Sequence, residues 1–367
     1  MRFPGFTDEW KETAIGEVVR IGNGRDYKHL ENGDIPVFGT GGYMTSVNDY
    51  LYDGETVFIG RKGTIDKPFY YSGKFWTVDT LFYTFDFKSI LPKFLLNVFH
   101  RINWKLFNEA SGVPSLSKAT IEKIKIKYPS LPEQEKISSL LSLIDERIAT
   151  QNKIINNLQS LIKGLNDSFH DNEHGESISI AELGHSYSGL SGKSGDDFGQ
   201  GSPYITYLNV FQNNVANEDQ IGLVTVDENE SQNTISYGDV LFTLSSETPE
   251  ETGIGCVYLG QSGKYYLNSF CFGVRITQPN KVYLPYLAYL VSSSKFRRFV
   301  YPLAQGSTRF NLQKNDFMKK KFILLPIEKQ KEISKTLDAL HDKLSMEFKL
   351  LGLYSKQKAY LLRSMFI

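Results

Sequence analysis

Gly306-Ser307-Thr308-Arg309-Phe310-Asn311 places a flexible turn, two hydroxyls, a guanidinium and a carboxamide within one short segment. These are the groups that reach phosphate oxygens and base edges in nucleic acids, although the same mixture also builds ordinary polar loops. The first half of the chain has comparable segments at Arg25, Tyr27 and Lys28, at Gly39-Thr40-Gly41-Gly42-Tyr43, and at Arg61-Lys62-Gly63. Glycine lets a backbone approach a ligand closely, and the neighbouring Arg or Lys supplies a phosphate or guanine contact. In the second half no Lys or Arg occurs between Lys193 and Lys264, whereas acids such as Asp196, Asp197, Asp227, Glu250 and Glu251 are frequent. That stretch is expected to face away from phosphates. A basic face is expected from the residues that follow it: Lys264, Arg275, Lys281, Lys295, Arg297, Arg298, Arg309, Lys314 and Lys319 to Lys321.

Catalytic patterns are incomplete wherever they begin. Gly22-Asn23-Gly24 and Gly253-Ile254-Gly255 open a dinucleotide-binding fingerprint, but its third glycine is replaced by Tyr27 and Tyr258. Gly192-Lys193-Ser194 ends like a phosphate loop, yet Tyr187 stands where the leading glycine belongs. No Pro-Pro pair exists to form the base-amine clamp of an adenine methyltransferase. His170 and His174 lack further ligands and read as a solvated linker. Cys256 and Cys271 have no zinc spacing and read as small buried residues. Glu347-Phe348-Lys349 matches the tail of a nuclease motif but lies on a helical apolar seam.

The elements that must position the loops are set by an internal repeat. Leu131-Pro132-Glu133-Gln134 returns as Leu325-Pro326 followed by Gln330, and from the glutamine onward an offset of 196 holds to the end of the chain. The first copy carries apolar residues at Ile137, Leu141, Ile144, Ile148, Ile155, Leu158 and Ile162, and the second at Ile333, Leu337, Leu340, Leu344 and Leu351. Steps alternating between four and three residues make a coiled-coil seam. A polar residue interrupts both at one register, Gln151 in the first and Glu347 in the second; Lys358 is a further break with no counterpart. Proline near the start and glutamate after it suit helix N-termini. Each helix of about 37 residues would be roughly 55 Å long and needs a partner, which the other copy supplies.

Upstream the repeat is fainter but keeps its order. Gly54 to Phe58 resembles Gly238 to Phe242, Leu91-Pro92 resembles Leu284-Pro285, and Ile15 to Val18 resembles Ile180 to Leu183. Strands are expected at Val57–Ile59, Leu81–Phe85, Val240–Thr243 and Phe272–Ile276, and short helices after Pro92 and Pro285. The fold class is therefore α+β: two tandem globular domains, each followed by a long helix, with the two helices pairing as a coiled coil. The division along the chain is 1–130, 131–172, 173–326 and 327–367.

The 367 residues are 41% hydrophobic and 13% aromatic, enough for packed cores. Lys+Arg and Asp+Glu both number 41, so a simple polycation is excluded. Two cysteines fit a reducing cytoplasm, the N-terminal residues lack an apolar signal core, and no apolar run is long enough to cross a membrane.

With this layout, the Arg2-Phe3-Pro4-Gly5-Phe6 opening with Trp10, and the Leu143-Ile144-Asp145-Glu146-Arg147-Ile148 and Leu340-His341-Asp342-Lys343-Leu344 segments, the chain resembles the specificity subunit of type I restriction–modification systems. His341 departs from the pattern at Asp145. The resemblance implies two target-recognition domains that each read one half of a bipartite DNA site, with the helices setting the gap and docking methylation subunits, two of them. It implies a chain with no catalytic residues, no metal and no cofactor of its own. S-adenosylmethionine, Mg and ATP would sit in partner subunits, and restriction subunits would join through the methylation subunits. A coiled-coil scaffold carrying two protein-binding domains is the competing reading.

Overall fold

Val57, Phe58 and Ile59 are completely buried in one of the two longest strands of the first half, and strand geometry sends successive side chains to opposite faces. The computed structural model describes residues 2–171, 174–260 and 265–366. It divides into two compact units, Met1–Lys153 with Phe348–Ile367, and Ile154–Glu347. The boundaries of the units cut each long helix rather than falling at its ends.

The first unit contains β1 (Lys11–Ala14), α1 (Ile15–Val18), β2 (Arg20–Asn23), β3 (Asn32–Gly39), β4 (Gly42–Val47), β5 (Tyr52–Gly60), β6 (Phe69–Thr77), β7 (Leu81–Phe85), α2 (Pro92–Arg101), α3 (Lys118–Lys123) and β8 (Lys125–Tyr128). Its main sheet has the order β2-β7-β5-β6-β3-β4, and β1 pairs with β8. One face of the sheet packs Val57, Ile59 and Phe82 against Phe94 and Phe99 of α2 and against Trp104. The other face collects Phe38, Phe58 and Phe75 beneath the half-buried Tyr52, Tyr71 and Tyr83. Pro92 at the start of α2 occupies a position where an N–H would go unused.

From the first unit, α4 (Leu131–His170) carries the chain into the second. There follow β9 (Glu176–Ser179), α5 (Ile180–Leu183), β10 (Gly184–Ser188), β11 (Phe198–Ile205), α6 (Tyr207–Gln212), β12 (Ile221–Val224), β13 (Val240–Thr243), β14 (Ser245–Ser246), β15 (Gly255–Val257), β16 (Tyr266–Leu267), β17 (Cys271–Ile276), α7 (Tyr286–Ser292), α8 (Ser294–Val300), β18 (Ala304–Gln305), β19 (Phe310–Leu312), α9 (Lys314–Lys319), β20 (Lys321–Leu324) and α10 (Ile327–Ser364). The sheets are smaller: β10-β17-β13-β15, β12-β11-β16, β14-β19-β18, and the pair β20-β9. Phe242, Phe272, Phe296 and Phe317 form the aromatic centre of the core. Cys256 and Cys271 are buried, and burial raises both thiols, Cys256 to about 12.

The repeated glutamine has a structural reason. In the first unit Gln134 is fully buried; its Oε1 accepts from Leu91 N at 2.8 Å, and its Nε2 donates to Ser89 O and Pro129 O, each at 2.9 Å. In the second unit Gln330 accepts from Tyr283 N at 2.8 Å and donates to Lys281 O at 3.0 Å and Leu325 O at 2.7 Å. Each amide thus bolts the first turn of a long helix to the loop before α2 or before α7. With three backbone groups to satisfy at once, no other side chain of that length fits.

The seam residues predicted for α4 and α10 are buried or half-buried throughout. In the first unit Ile137 and Leu141 share a core with Leu361, Met365 and Phe366; in the second Ile162, Leu165 and Phe169 share one with Ile333, Leu337, Leu340 and Leu344. Early residues of one helix meet late residues of the other in both, so the helices pair as an antiparallel coiled coil. Lys358 does not weaken the seam as the sequence suggests: its Nζ lies 2.5 Å from Asp145 Oδ1. The offset of 196 makes Ile162 the counterpart of Lys358 and His341 the counterpart of Asp145. The two irregularities of the repeat are therefore one substitution, an ion pair in the first unit against an isoleucine and a histidine in the second. Among the described residues no helix is long and apolar enough to cross a membrane, and no His, Cys, Asp and Glu group could hold a metal.

Candidate nucleic-acid interface

In the first unit the three predicted loops converge on a turn that the sequence reading missed, Thr77–Thr80. Arg25 N donates to Thr77 O at 2.8 Å, Val78 N to Phe38 O at 3.0 Å, and Arg61 N and Lys62 N to Thr80 O at 2.8 and 3.2 Å. Arg61 Nη1 also donates to Asp79 O at 3.2 Å. Gly24 is required here, because a Cβ on it would stand 1.9 Å from Val78 O. Thr40 of the β3–β4 hairpin flanks the same place, its Oγ1 lying 3.7 Å from where a Cβ of Gly63 would be. Gly41 and Gly42 form the open hairpin tip, Gly42 at φ +104°, and Tyr43 beside them is 64% exposed. Lys28 is exposed, whereas Tyr27 packs beside Trp76 and serves the core as much as the surface. A surface cleft of about 760 Å³ runs past Arg61 and Lys62 and is completed by Asn23, Glu109, Ser115 and Lys118.

In the second unit the predicted loop is the tip of a hairpin between β18 and β19, with Ser307, Thr308 and Arg309 exposed. Arg309 Nε donates to Ser245 Oγ at 3.3 Å, and its guanidinium stands 5.0 Å from the centre of the Phe270 ring. Stacking holds the group extended while most of its N–H donors stay available. Asn311 is exposed on β19 and pairs through its backbone with Ser245. The adjoining cleft, about 410 Å³, is walled by Tyr207, Leu208, Phe211 and Phe270. Glu247 and Glu251 line it too, which corrects the expectation that the acidic stretch turns away from the basic loop. A carboxylate there can accept from a cytosine amine.

The broader basic face expected between Lys264 and Lys321 is also corrected, since several of its cations are engaged within the fold. Arg297 donates to Gly253 O at 2.5 Å and to Glu250 O and Thr252 O at 2.8 Å, and burial lowers it to about 10. It clamps the 250–253 turn, and three carbonyls leave it little for a ligand. Arg275 is held by the buried Asp239, Lys281 by Glu176, and Lys320 by Phe299 O. Arg298 remains exposed beside Asp171, at 3.6 Å. Lys264 lies outside the described residues. His170, expected in a solvated linker, is instead buried and stacked on Tyr286, while His174 is exposed.

Both candidate sites rest on one construction. Leu116 N donates to Arg61 O in the first unit, and Leu312 N donates to Leu244 O in the second. One residue further along, Lys62 bridges Ser115 and Ser245 bridges Asn311. A strand end and a returning loop are thus laced together at the same place, with cations just past the strand end in one unit and in the loop in the other.

A family model described as the type I restriction modification DNA specificity domain matches residues 7–160 and again 176–351. The chain belongs to that family. It is 31% identical over 119 residues to a type I restriction enzyme specificity subunit of Methanocaldococcus jannaschii, covering 31% of this chain and 26% of that one. It is 29% identical over 138 residues to a protein of Mycoplasma pneumoniae named as a type I specificity subunit, covering 35% and 45%. The chain therefore spans less than half the length of either relative. Two solved structures share the fold: the S subunit of a type I restriction–modification system from M. genitalium, with a TM-score of 0.58 at 12% identity over 100% of this chain and 97% of that one, and a chain from a study of complex assembly and conformational transition in the type I system, with a TM-score of 0.61 at 13% identity over 98% and 97%.

Proposed function

We propose that this chain is the DNA-recognition subunit of a type I restriction–modification complex, reading a bipartite double-stranded site with one half assigned to each unit. The observation that carries this reading is the repeated strand-end and loop construction, which presents Arg61 and Lys62 in one unit and Arg309 with Asn311 in the other. Arg and Lys suit guanine O6 and N7, Asn suits adenine, and Glu247 or Glu251 suits a cytosine amine. Neighbouring hydroxyls at Thr40, Ser307 and Thr308 suit phosphates. The antiparallel helices fix the unread gap and dock two methylation subunits, through which restriction subunits join. In this reading the chain catalyses nothing, holds no cofactor, and works in the cytoplasm. Its partners carry S-adenosylmethionine, Mg and ATP.

The test replaces residues 173–326 with the corresponding segment of another family member and maps methylated adenines in cells that supply the partner subunits. A change in one half of the methylated sequence alone is expected. An unchanged target would favour the scaffold reading, in which the two domains bind proteins.

A further inference from the structure

Ser245 lines the cleft of the second unit and holds two of its side chains at once. Its Oγ accepts from Arg309 Nε at 3.3 Å, and its carbonyl oxygen accepts from the Tyr207 hydroxyl at 3.0 Å. The contact with Arg309 uses Nε–H and leaves Nη1 and Nη2, which make no hydrogen bond among the described residues. They remain as an end-on fork, a shape that matches two neighbouring acceptors such as guanine O6 and N7.

Phe270 is also fixed in place, although 51% of it is exposed. Its N–H donates to Asn268 Oδ1 at 2.9 Å, and its carbonyl oxygen accepts from Leu244 N at 2.8 Å. The same cleft is lined by Leu208, 59% exposed in the first turn of α6, and by Phe211, stacked on Tyr207 with centroids 6.1 Å apart. Leu208, Phe211 and Phe270 belong to neither hydrophobic cluster of this unit. An exposed apolar wall that carries none of the packing marks a place where something else binds. The cleft beside the corresponding bridge of the first unit, Lys62 with Ser115, has one aromatic residue in its lining, Phe82, which is buried. The wall is therefore a property of the second unit and not of the shared construction.

The two parts of the cleft define the chemistry of its occupant. Arg309 calls for paired acceptors, and the wall calls for a small apolar group beside them. Glu247 and Glu251 line the cleft too and repel phosphate, so a base edge suits it better than the DNA backbone. In the major groove the base edge that offers an apolar group is thymine, through its C5 methyl. A Phe270 wedge between base pairs would need the faces of its ring, and the guanidinium 5.0 Å from the ring centre already covers one of them.

We propose that the second unit reads a guanine together with the thymine methyl of an adjacent base pair, an inference that rests on the DNA-recognition reading above. Arg309 forks onto guanine O6 and N7, and Leu208 with Phe270 encloses the methyl. Ser245 sets the distance between the two contacts, because it anchors the guanidinium and the first turn of α6 together.

The target is mapped by methylated adenines before and after the exchange of residues 173–326, which identifies the half that the second unit reads. Duplexes are then altered in that half alone, and the full chain assembled with methylation subunits is titrated by fluorescence anisotropy. Deoxyuridine in place of one thymine should weaken binding about fourfold, the worth of one buried methyl group. The 7-deaza analogue of a guanine in the adjacent pair, which lacks the N7 acceptor, should weaken it about tenfold. Leu208→Ala, a surface change, should erase the deoxyuridine effect and keep the 7-deazaguanine effect, whereas Arg309→Ala should erase the latter. Three results would each overturn the inference and leave DNA recognition by this unit standing: no thymine next to a guanine-containing pair in that half, no thymine there that responds to deoxyuridine, or a deoxyuridine effect that survives Leu208→Ala. A target that the exchange leaves unchanged would overturn the recognition reading and this inference with it.

Discussion

The two units solve one architectural problem with opposite placements of charge. Where strand end meets returning segment, the first unit puts Arg61 and Lys62 just past the end of β5 and Ser115 on the returning segment. The second puts Ser245 on β14, and Arg309 and Asn311 on the returning hairpin, Arg309 at its tip and Asn311 on β19. The scaffold positions survive because they are backbone bridges and buried amides, indifferent to the exposed side chains. The exposed positions are free to diverge, because their side chains carry no part of the fold. The same contrast runs through the cations generally. In the second unit, Arg275 and Arg297 are structural clamps, whereas Arg309, stacked on Phe270, stays exposed.

The largest effects should come from what the units share. Removing the amide in Gln134→Ala or Gln330→Ala leaves one backbone N–H and two carbonyls without their partner, a loss of about 2–4 kcal/mol in each case. All three tryptophans, Trp10, Trp76 and Trp104, belong to the first unit. In urea, Gln134→Ala should therefore move the fluorescence transition to lower concentration. Gln330→Ala should move the far-ultraviolet dichroism more than the fluorescence. Equal shifts of the fluorescence by both variants would mean that the units unfold as one body, and the comparison would have to be recast.

Next in size are the contacts on which the units differ. With partner subunits present, Arg309→Ala and Arg61→Ala should each weaken specific DNA binding by about 1–3 kcal/mol and relax discrimination in different halves of the site. A residue that touches only phosphate would instead lower the salt slope and leave the sequence preference intact. Arg297→Ala supplies the control: it should lower the unfolding midpoint while the sequence read stays the same. A changed target for Arg297→Ala would mean that the carbonyl clamp also meets DNA.

Much of this division was legible in the sequence because periodicity is global. A seam of alternating steps over a whole helix, repeated at a constant offset, admits few alternatives, and the strand runs at Val57, Leu81, Val240 and Phe272 are strands in the structure. The site was legible only in part. Loop composition singled out Arg61 and Arg309 as candidates, but it could not show that Thr77–Thr80 gathers three loops, since those hydrogen bonds use the backbone and leave no trace in residue type. Nor could a count of cations separate Arg297 from Arg309, because burial depends on what packs above each side chain. The glutamine was visible as a repeated residue, and only the geometry supplied the reason.

The smallest expected effect probes the one place where the seam itself differs. His100 lies near the end of α2 at an exposed position; partial desolvation of its ring lowers it, and the charge of Lys358 pushes the same way while Asp145 opposes it. A histidine depressed in the fold costs stability as pH falls, because below about 6.5 the unfolded chain takes up a proton that the folded chain refuses. Stability contributed by neutral His100 is thus complete above about pH 6.5 and fades below it, and solvent screening at this exposed position keeps the contribution small. Lys358→Met removes a cation that disfavours protonation and leaves Asp145, which favours it, so the His100 titration followed by NMR should move upward and the acid loss should shrink. Restoring the arrangement of the second unit with Lys358→Ile and Asp145→His should be tolerated, since the fold already carries an isoleucine and a histidine at the corresponding positions, 162 and 341. A His100 titration that stays in place in Lys358→Met would show that desolvation alone sets it, and that the ion pair serves only to fix the register of the two helices.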